Sequence, residues 1–178
     1  MKKKIDVFEH MGEILKGVKK GVLITGKADD RVNSMTISWG MVGIEWGKPV
    51  FITFIRESRF TRSLIEKNGE FTVNIPIDDS AKDILAFCGS KSGRDVDKAK
   101  ELGLTYEEPE MISVPGIKEL PLTLECRVVY KQTQDTSAMT EENRDKFYPQ
   151  NVDSLFTGSN RDTHVAYYGE IVNAYVIE

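Results

Sequence analysis

The chain has 178 residues, 40% of them hydrophobic and 29% charged, with a formal net charge of -4. That length is enough for one domain, residues 1–178, to bury a real core without metal or disulfide staples. The acidic balance excludes the broad basic surface that nucleic acid or an acidic membrane requires. Cys88 and Cys126 are the two cysteines, far apart and in no CxxC pair, so neither a disulfide framework nor a cysteine-based metal cluster is expected.

The start, MKKKIDVFEH, lacks the apolar run of a signal peptide, and no segment approaches bilayer-spanning length, which predicts a soluble cytoplasmic protein. Residues Val7 to Val18 place Phe8, Met11, Leu15 and Val18 at helical spacing, so a helix burying that face should end near Gly21. GVLITGK follows as a strand. NSMTISWGMVGIEW continues as strand and turn, punctuated by Gly43 and Gly47, and KPVFITFIR is a β-rich run whose Pro49 suits a strand's first position. SRFTRSLIEKNG reads as a helix capped by Ser58, with Phe60, Leu64 and Ile65 as its apolar face and Asn68-Gly69 as its stop.

EFTVNIP alternates as a strand. Helices are expected over Asp78–Phe87, burying Ile84, Leu85 and Phe87, and over Asp95–Leu102. LPLTLECRVVYKQT and HVAYYGEIVNAYVIE are long β stretches, and the polar, turn-rich segment between them has one helical turn at Glu141–Phe147. Strands with helices inserted in this order predict a mainly β barrel rather than a doubly wound sheet.

Three segments carry polar groups in unusual places. In NSMTISW, alternation sends Asn33, Met35, Ile37 and Trp39 to one side and Ser34, Thr36 and Ser38 to the other, and neither side is a plain core face. In IRESRFTRSL, the hydroxyls of Ser58 and Thr61 meet Arg56 and Arg59 at a helix start, which suits a phosphate. In CGSKSGRDVDK, Gly89 and Gly93 allow close approach of backbone amides, with Arg94 supplying charge; the Walker spacing is missing. Each segment also has a plain reading: an edge strand facing water, a capped helix with solvated arginines, a solvated loop. Taken together they describe a ligand with a phosphate and a flat hydrogen-bonding ring, which is the anatomy of flavin mononucleotide (FMN), with Met35 or Trp39 beside the ring. His10 and His164 sit in no metal or triad motif, so no metal site is expected. A partly exposed structural role is expected for His164, and a small buried hydrophobe for Cys88.

NSMTISWGMVGIEWGKPVFITFIRESRFTRSLIEKNGEFTVNIP, then CGSKSGRDVDKAKELGLT, then HVAYYGEIVNAYVIE, resemble in order the flavin reductase-like FMN-binding split-barrel family, in its flavoredoxin-like branch. The likeness runs from about Gly21 to Glu178, and the polar segment 135–162 is its least typical part. It implies a Greek-key split barrel that pairs as a homodimer with one FMN per subunit. By motif, Asn33, Thr36, Ile37 and Ser38 would lie along the ring and its side chain, and Arg56, Ser58, Arg59 and Thr61 around the phosphate. Cys88, Gly89, Ser92, Gly93 and Arg94 would approach the flavin, with Lys98 beside them. The implied activity is an oxidoreductase passing electrons from NADH or NADPH through FMN to flavin or another acceptor, with the chemistry at the ring rather than on a side chain. The alternative is an FMN electron carrier that exchanges electrons with a redox protein partner and turns over no nicotinamide.

Overall fold

The computed structural model describes every residue from Met1 to Glu178. In chain order the elements are β1 (Lys2–Lys4), α1 (Val7–Lys20), β2 (Val22–Ala28), β3 (Arg31–Ile37), β4 (Gly40–Glu45), β5 (Lys48–Arg56), α2 (Phe60–Asn68) and β6 (Glu70–Ile75). Then come α3 (Lys82–Ser90), α4 (Lys98–Leu102), β7 (Tyr106–Glu107), β8 (Gly116–Ile117), β9 (Leu122–Thr133), α5 (Glu141–Phe147) and β10 (His164–Ile177). No helix is long and apolar enough to cross a membrane.

Seven strands form one antiparallel path, β3-β2-β6-β9-β10-β5-β4, and β1 adds to β10. β3 and β4 therefore end the path on opposite sides, yet only Ser38 and Trp39 separate them in sequence. Laid flat, the six inter-strand steps would hold those edges roughly 29 Å apart, whereas the link from Ile37 to Gly40 spans at most about 11 Å. The sheet must curl until its two edges meet, giving a barrel whose β3–β4 seam carries no ladder. This is the split barrel expected from the sequence.

The curl brings Ile24, Phe51, Ile55, Phe71, Leu124 and Tyr167 into one core. β10 reaches β5, β9 and β1 by bending at register shifts beside Gly169 and Asn173. At Gly169 an added Cβ would stand 2.5 Å from the Phe71 ring, so the glycine is required by packing.

Several local expectations shift. The α1 bounds agree, but the buried face is Val7, Ile14, Gly17 and Val18, while Phe8 and Leu15 are exposed. Gly17 explains the choice: a Cβ there would lie 2.5 Å from Ile75 Cγ2, so this side lets the helix approach β6. Gly43 is not a turn but an interior residue of β4; the turn is at Trp46 and Gly47, both with positive φ. Pro49 takes the second position of β5, opposite Ile44. The helix expected at Asp78 starts at Lys82 because the Asp78 carboxylate accepts from Ser80 N in a turn, and its fully buried residue is Cys88. The one expected at Asp95 starts at Lys98, capped by Asp97.

Candidate functional site

β3 runs into the seam, and its polar side chains have partners that the sequence does not reveal. Ser34 Oγ meets Thr25 Oγ1 at 2.8 Å inside the core, where Asn74 Nδ2 also donates to Thr25. Asn33 Nδ2 donates to Thr61 Oγ1 at 2.8 Å, and Thr36 Oγ1 donates to the Leu85 carbonyl at 2.6 Å. These bonds tie the strand to α2 and α3, and thus bring the three unusual segments together.

Two cavities adjoin along the seam. The first, of about 660 Å³, is walled by Asn33, Met35 and Thr36 on β3, by Ser58, Arg59 and Thr61 at the start of α2, and by Cys88, Gly89, Ser92, Gly93, Arg94 and Lys98. The second, of about 300 Å³, is walled by Met35, Thr36, Ile37, Ser38 and Trp39, with Arg56, Arg59, Phe54, Phe147 and His164 opposite. Met35, Thr36, Arg59 and Thr157 border both, so the two read as one groove. Its combined size lies in the range of small-molecule sites. Apart from Ser34, which is buried against Thr25, the residues singled out from the three segments border this groove, and the structure divides them into a hydroxyl-rich cationic end and an aromatic end.

The four residues expected around the phosphate, Arg56, Ser58, Arg59 and Thr61, do not all border one cavity. Arg56 borders the aromatic cavity, not the one walled by Ser58 and Thr61. Its Nη1 donates to the Asn160 and Asp162 carbonyls and its Nη2 to the Phe147 carbonyl, with the Tyr148 ring 5.2 Å away. Arg56 thus fastens the 147–162 segment. Ser58 is also not the helix cap: Arg59 occupies that position without a side-chain bond, while Ser58 Oγ donates to the Ser154 carbonyl. Arg59 donates to the Thr157 carbonyl at 3.0 Å, and Arg94 to the Ser58 carbonyl at 2.8 Å. The polar segment is therefore a wall of the groove, built by residues 56–59.

At the aromatic end His164 is buried rather than partly exposed. Its Nδ1 lies 2.9 Å from Tyr148 Oη, whose hydroxyl donates to Gln134 at 2.7 Å, and its ring lies against Trp39 with centroids 4.9 Å apart. Burial, reinforced by Arg56 and Arg59, pushes its pKa down to about 3, so the imidazole is neutral. At the other end the guanidinium groups of Arg31 and Arg94 lie over the Phe60 ring, 5.2 and 5.6 Å from its centre. Burial raises the Cys88 thiol above its ordinary range, and the residue packs with Leu23, Ala81, Ile117 and Leu120.

Sequence reading missed Phe54, Phe60, Phe147, Ser154, Leu155 and Thr157 as lining residues. Phe60 opens α2, and its spacing in sequence marks only a helix face. The residues from 147 onward give no local signal, because their place depends on Arg56 and Arg59, which lie about a hundred positions away. A phosphate-bearing planar molecule fits the geometry: cations, amides and hydroxyls at one end, aromatic side chains at the other.

The sequence profile described as a flavin reductase-like domain matches residues 15–178. An uncharacterised protein of Archaeoglobus fulgidus is 35% identical over 120 residues, which are 67% of this chain and 66% of that protein, so the chain spans just under two thirds of that relative. Among solved structures, the flavoredoxin from Methanosarcina acetivorans superposes with a TM-score of 0.65 at 26% identity, over 89% of this chain and 68% of that one. The FMN-binding domain of a flavin reductase-like enzyme from Shewanella baltica superposes with a TM-score of 0.69 over 99% of this chain and 77% of that one, and at 16% identity it shows the fold alone. The chain belongs to the flavin reductase-like domain family.

Proposed function

We propose that this protein binds FMN in the groove and works as an oxidoreductase, passing electrons from NADH or NADPH to flavin or another acceptor. The observation that carries the reading is the polarity of the groove: Arg59, Arg94, Lys98 and Thr61 at one end suit a phosphate, and Trp39, Phe54 and Phe147 at the other suit an isoalloxazine ring. Asn33, Met35, Thr36, Ile37 and Ser38 run between them along the ring and ribityl chain. Cys88, Gly89, Ser92 and Gly93 form the facing wall beside Ser58, and Arg56 holds the 147–162 wall. Bound FMN would supply the redox chemistry, and the side chains bind, orient and exclude water. His164, neutral and held by Tyr148, gives the aromatic end a hydrogen-bonding group that carries no charge.

We also read the outward face of β4, β5, β10 and β9 as the seat of a second copy. Met41, Ile52, Tyr168 and Tyr130 stand in one cross-strand row, and Trp46 packs against both tyrosines. Met41, Trp46 and Tyr130 are exposed, and an exposed apolar patch of this kind marks an interaction site. The row runs into the groove through Phe54, which follows Ile52 on the same face. A monomer in sedimentation that retained full FMN affinity would contradict the pairing.

Anaerobic stopped-flow of the FMN-loaded protein tests the activity. Prompt bleaching of the flavin band by NADH or NADPH is expected. No reduction at millimolar donor would favour the flavoredoxin-like reading, in which FMN exchanges electrons with a redox protein.

A further inference from the structure

The opening along β3 does not stop at the cationic end of the groove. Arg31, Asn33 and Met35 face the same way on that strand. Met35 and Asn33 wall the cationic end, whereas Asn33 and Arg31 wall a further cavity of about 720 Å³. From Met35 to Arg31 the strand advances about 13 Å. Gly93 borders both cavities, and a Cβ there would stand 2.1 Å from Asn33 Oδ1 and 2.8 Å from the Phe60 ring, so glycine is what lets the loop close against β3.

The further cavity is lined by charges of both signs. Arg31, Arg94 and Lys100 border it together with Asp30 and Asp95, yet none of these five belongs to an ion pair. Opposite charges that surround one opening without closing on each other leave it to an occupant. Arg31 Nη2 donates to the Gly93 carbonyl at 2.9 Å, Arg94 Nη1 donates to the Ser58 carbonyl at 2.8 Å, and the Phe60 ring lies under both. The backbone and one aromatic ring thus hold two guanidinium groups in place. A guanidinium has five N–H donors, so most of them stay free. Tyr106 adds a ring that is 37% exposed.

Each of these groups names part of a ligand. Positioned guanidinium groups take phosphate oxygens in pairs, carboxylates accept from hydroxyls, and an aromatic ring stacks on a flat base. We infer that the cavity is a second ligand site, which takes a nucleoside monophosphate group, with the phosphate on Arg31 and Arg94, the ribose hydroxyls toward Asp30 and Asp95, and the base against Tyr106. The group has two sources: a free mononucleotide, or the far half of a dinucleotide whose flavin half lies in the groove. Only the second source rests on the FMN reading above.

Calorimetric titration of the flavin-free protein with AMP and with adenosine tests the site. AMP should bind at least about tenfold more tightly than adenosine, and Arg31→Met should remove that advantage, which is the loss of one charge-assisted bond. FMN affinity should stay within about twofold in Arg31→Met, because Arg31 borders only the further cavity. Flavin-fluorescence titration with FMN and FAD then separates the sources. FAD held about tenfold more tightly than FMN, with the difference lost in Arg31→Met, identifies the dinucleotide; equal affinities, with AMP still binding to FMN-saturated protein, identify the free mononucleotide. Equal binding of AMP and adenosine, or an AMP affinity that Arg31→Met leaves unchanged, would overturn the inference alone. AMP binding to a protein that takes no flavin would overturn the FMN reading and leave this site standing.

Discussion

Replacing Arg56 by methionine separates fastening of the wall from binding of the phosphate. Arg56 is 6% exposed, and its guanidinium donates three hydrogen bonds to carbonyls at Phe147, Asn160 and Asp162. Hydrogen bonds to a charged group contribute about 1.5–3 kcal/mol each, so losing three should weaken the anchorage of 147–162 by about 4.5–9 kcal/mol, before any cost of the orphaned carbonyls. The barrel core does not contain this side chain, so the loss falls on the segment. Hydrogen exchange reads it directly. Amides of Val152 and Arg161, bonded within the segment to Pro149 and Val152, should exchange at least about a hundredfold faster, since ~1.4 kcal/mol corresponds to a factor of ten. Amides of the β5–β10 ladder should hold their protection, and the preference for FMN over riboflavin should survive. Unchanged exchange at Val152 and Arg161, or a lost FMN preference in a variant whose segment stays protected, would refute the reasoning and return Arg56 to the phosphate.

Two further substitutions probe the frame. Ile14→Ala should destabilise the protein by about 2–5 kcal/mol in urea unfolding, while Leu15→Ala one position on should stay within about 0.5 kcal/mol, because only Ile14 is fully buried; equal losses would put the wrong face of α1 in the core. His164 is neutral when folded, with its pKa near 3, against 6.5 for the free side chain. The unfolded chain therefore binds a proton that the folded one does not as pH falls from 6.5 toward 3, and stability drops by about 1.4 kcal/mol per pH unit from this residue. His164→Gln should flatten the acid limb of the stability profile, and parallel profiles would contradict the buried neutral imidazole.

Lys48–Arg56 is legible from its residues alone, because β-branched and aromatic side chains run between Trp46-Gly47 and a polar turn. α1 shows where pattern runs out. Phe8, Met11, Leu15 and Val18 have helical spacing, and so do Val7, Ile14 and Val18; only the approach to Ile75 decides between them. Gly17 is the one sequence hint, since a glycine inside a helix often marks close packing. β1 is three lysines with no apolar pattern, and its backbone pairing with Tyr175, Val176 and Ile177 cannot be read locally. The site was legible as three segments, because each places small polar groups against an apolar background. Which of their donors face a ligand was not. Asn33, Thr36 and Arg56 bond to protein atoms 28 or more positions away in sequence, and those partners exist only once the chain has folded around β3.

The central claim is that the adjoining cavities hold the two ends of one FMN. A crystal structure of the protein with FMN tests it most directly. The phosphate should lie against Arg59, Thr61 and Lys98, with the ring between the Met35–Trp39 stretch and Phe54. Flavin density elsewhere, or none along the groove at saturating FMN, would contradict the account.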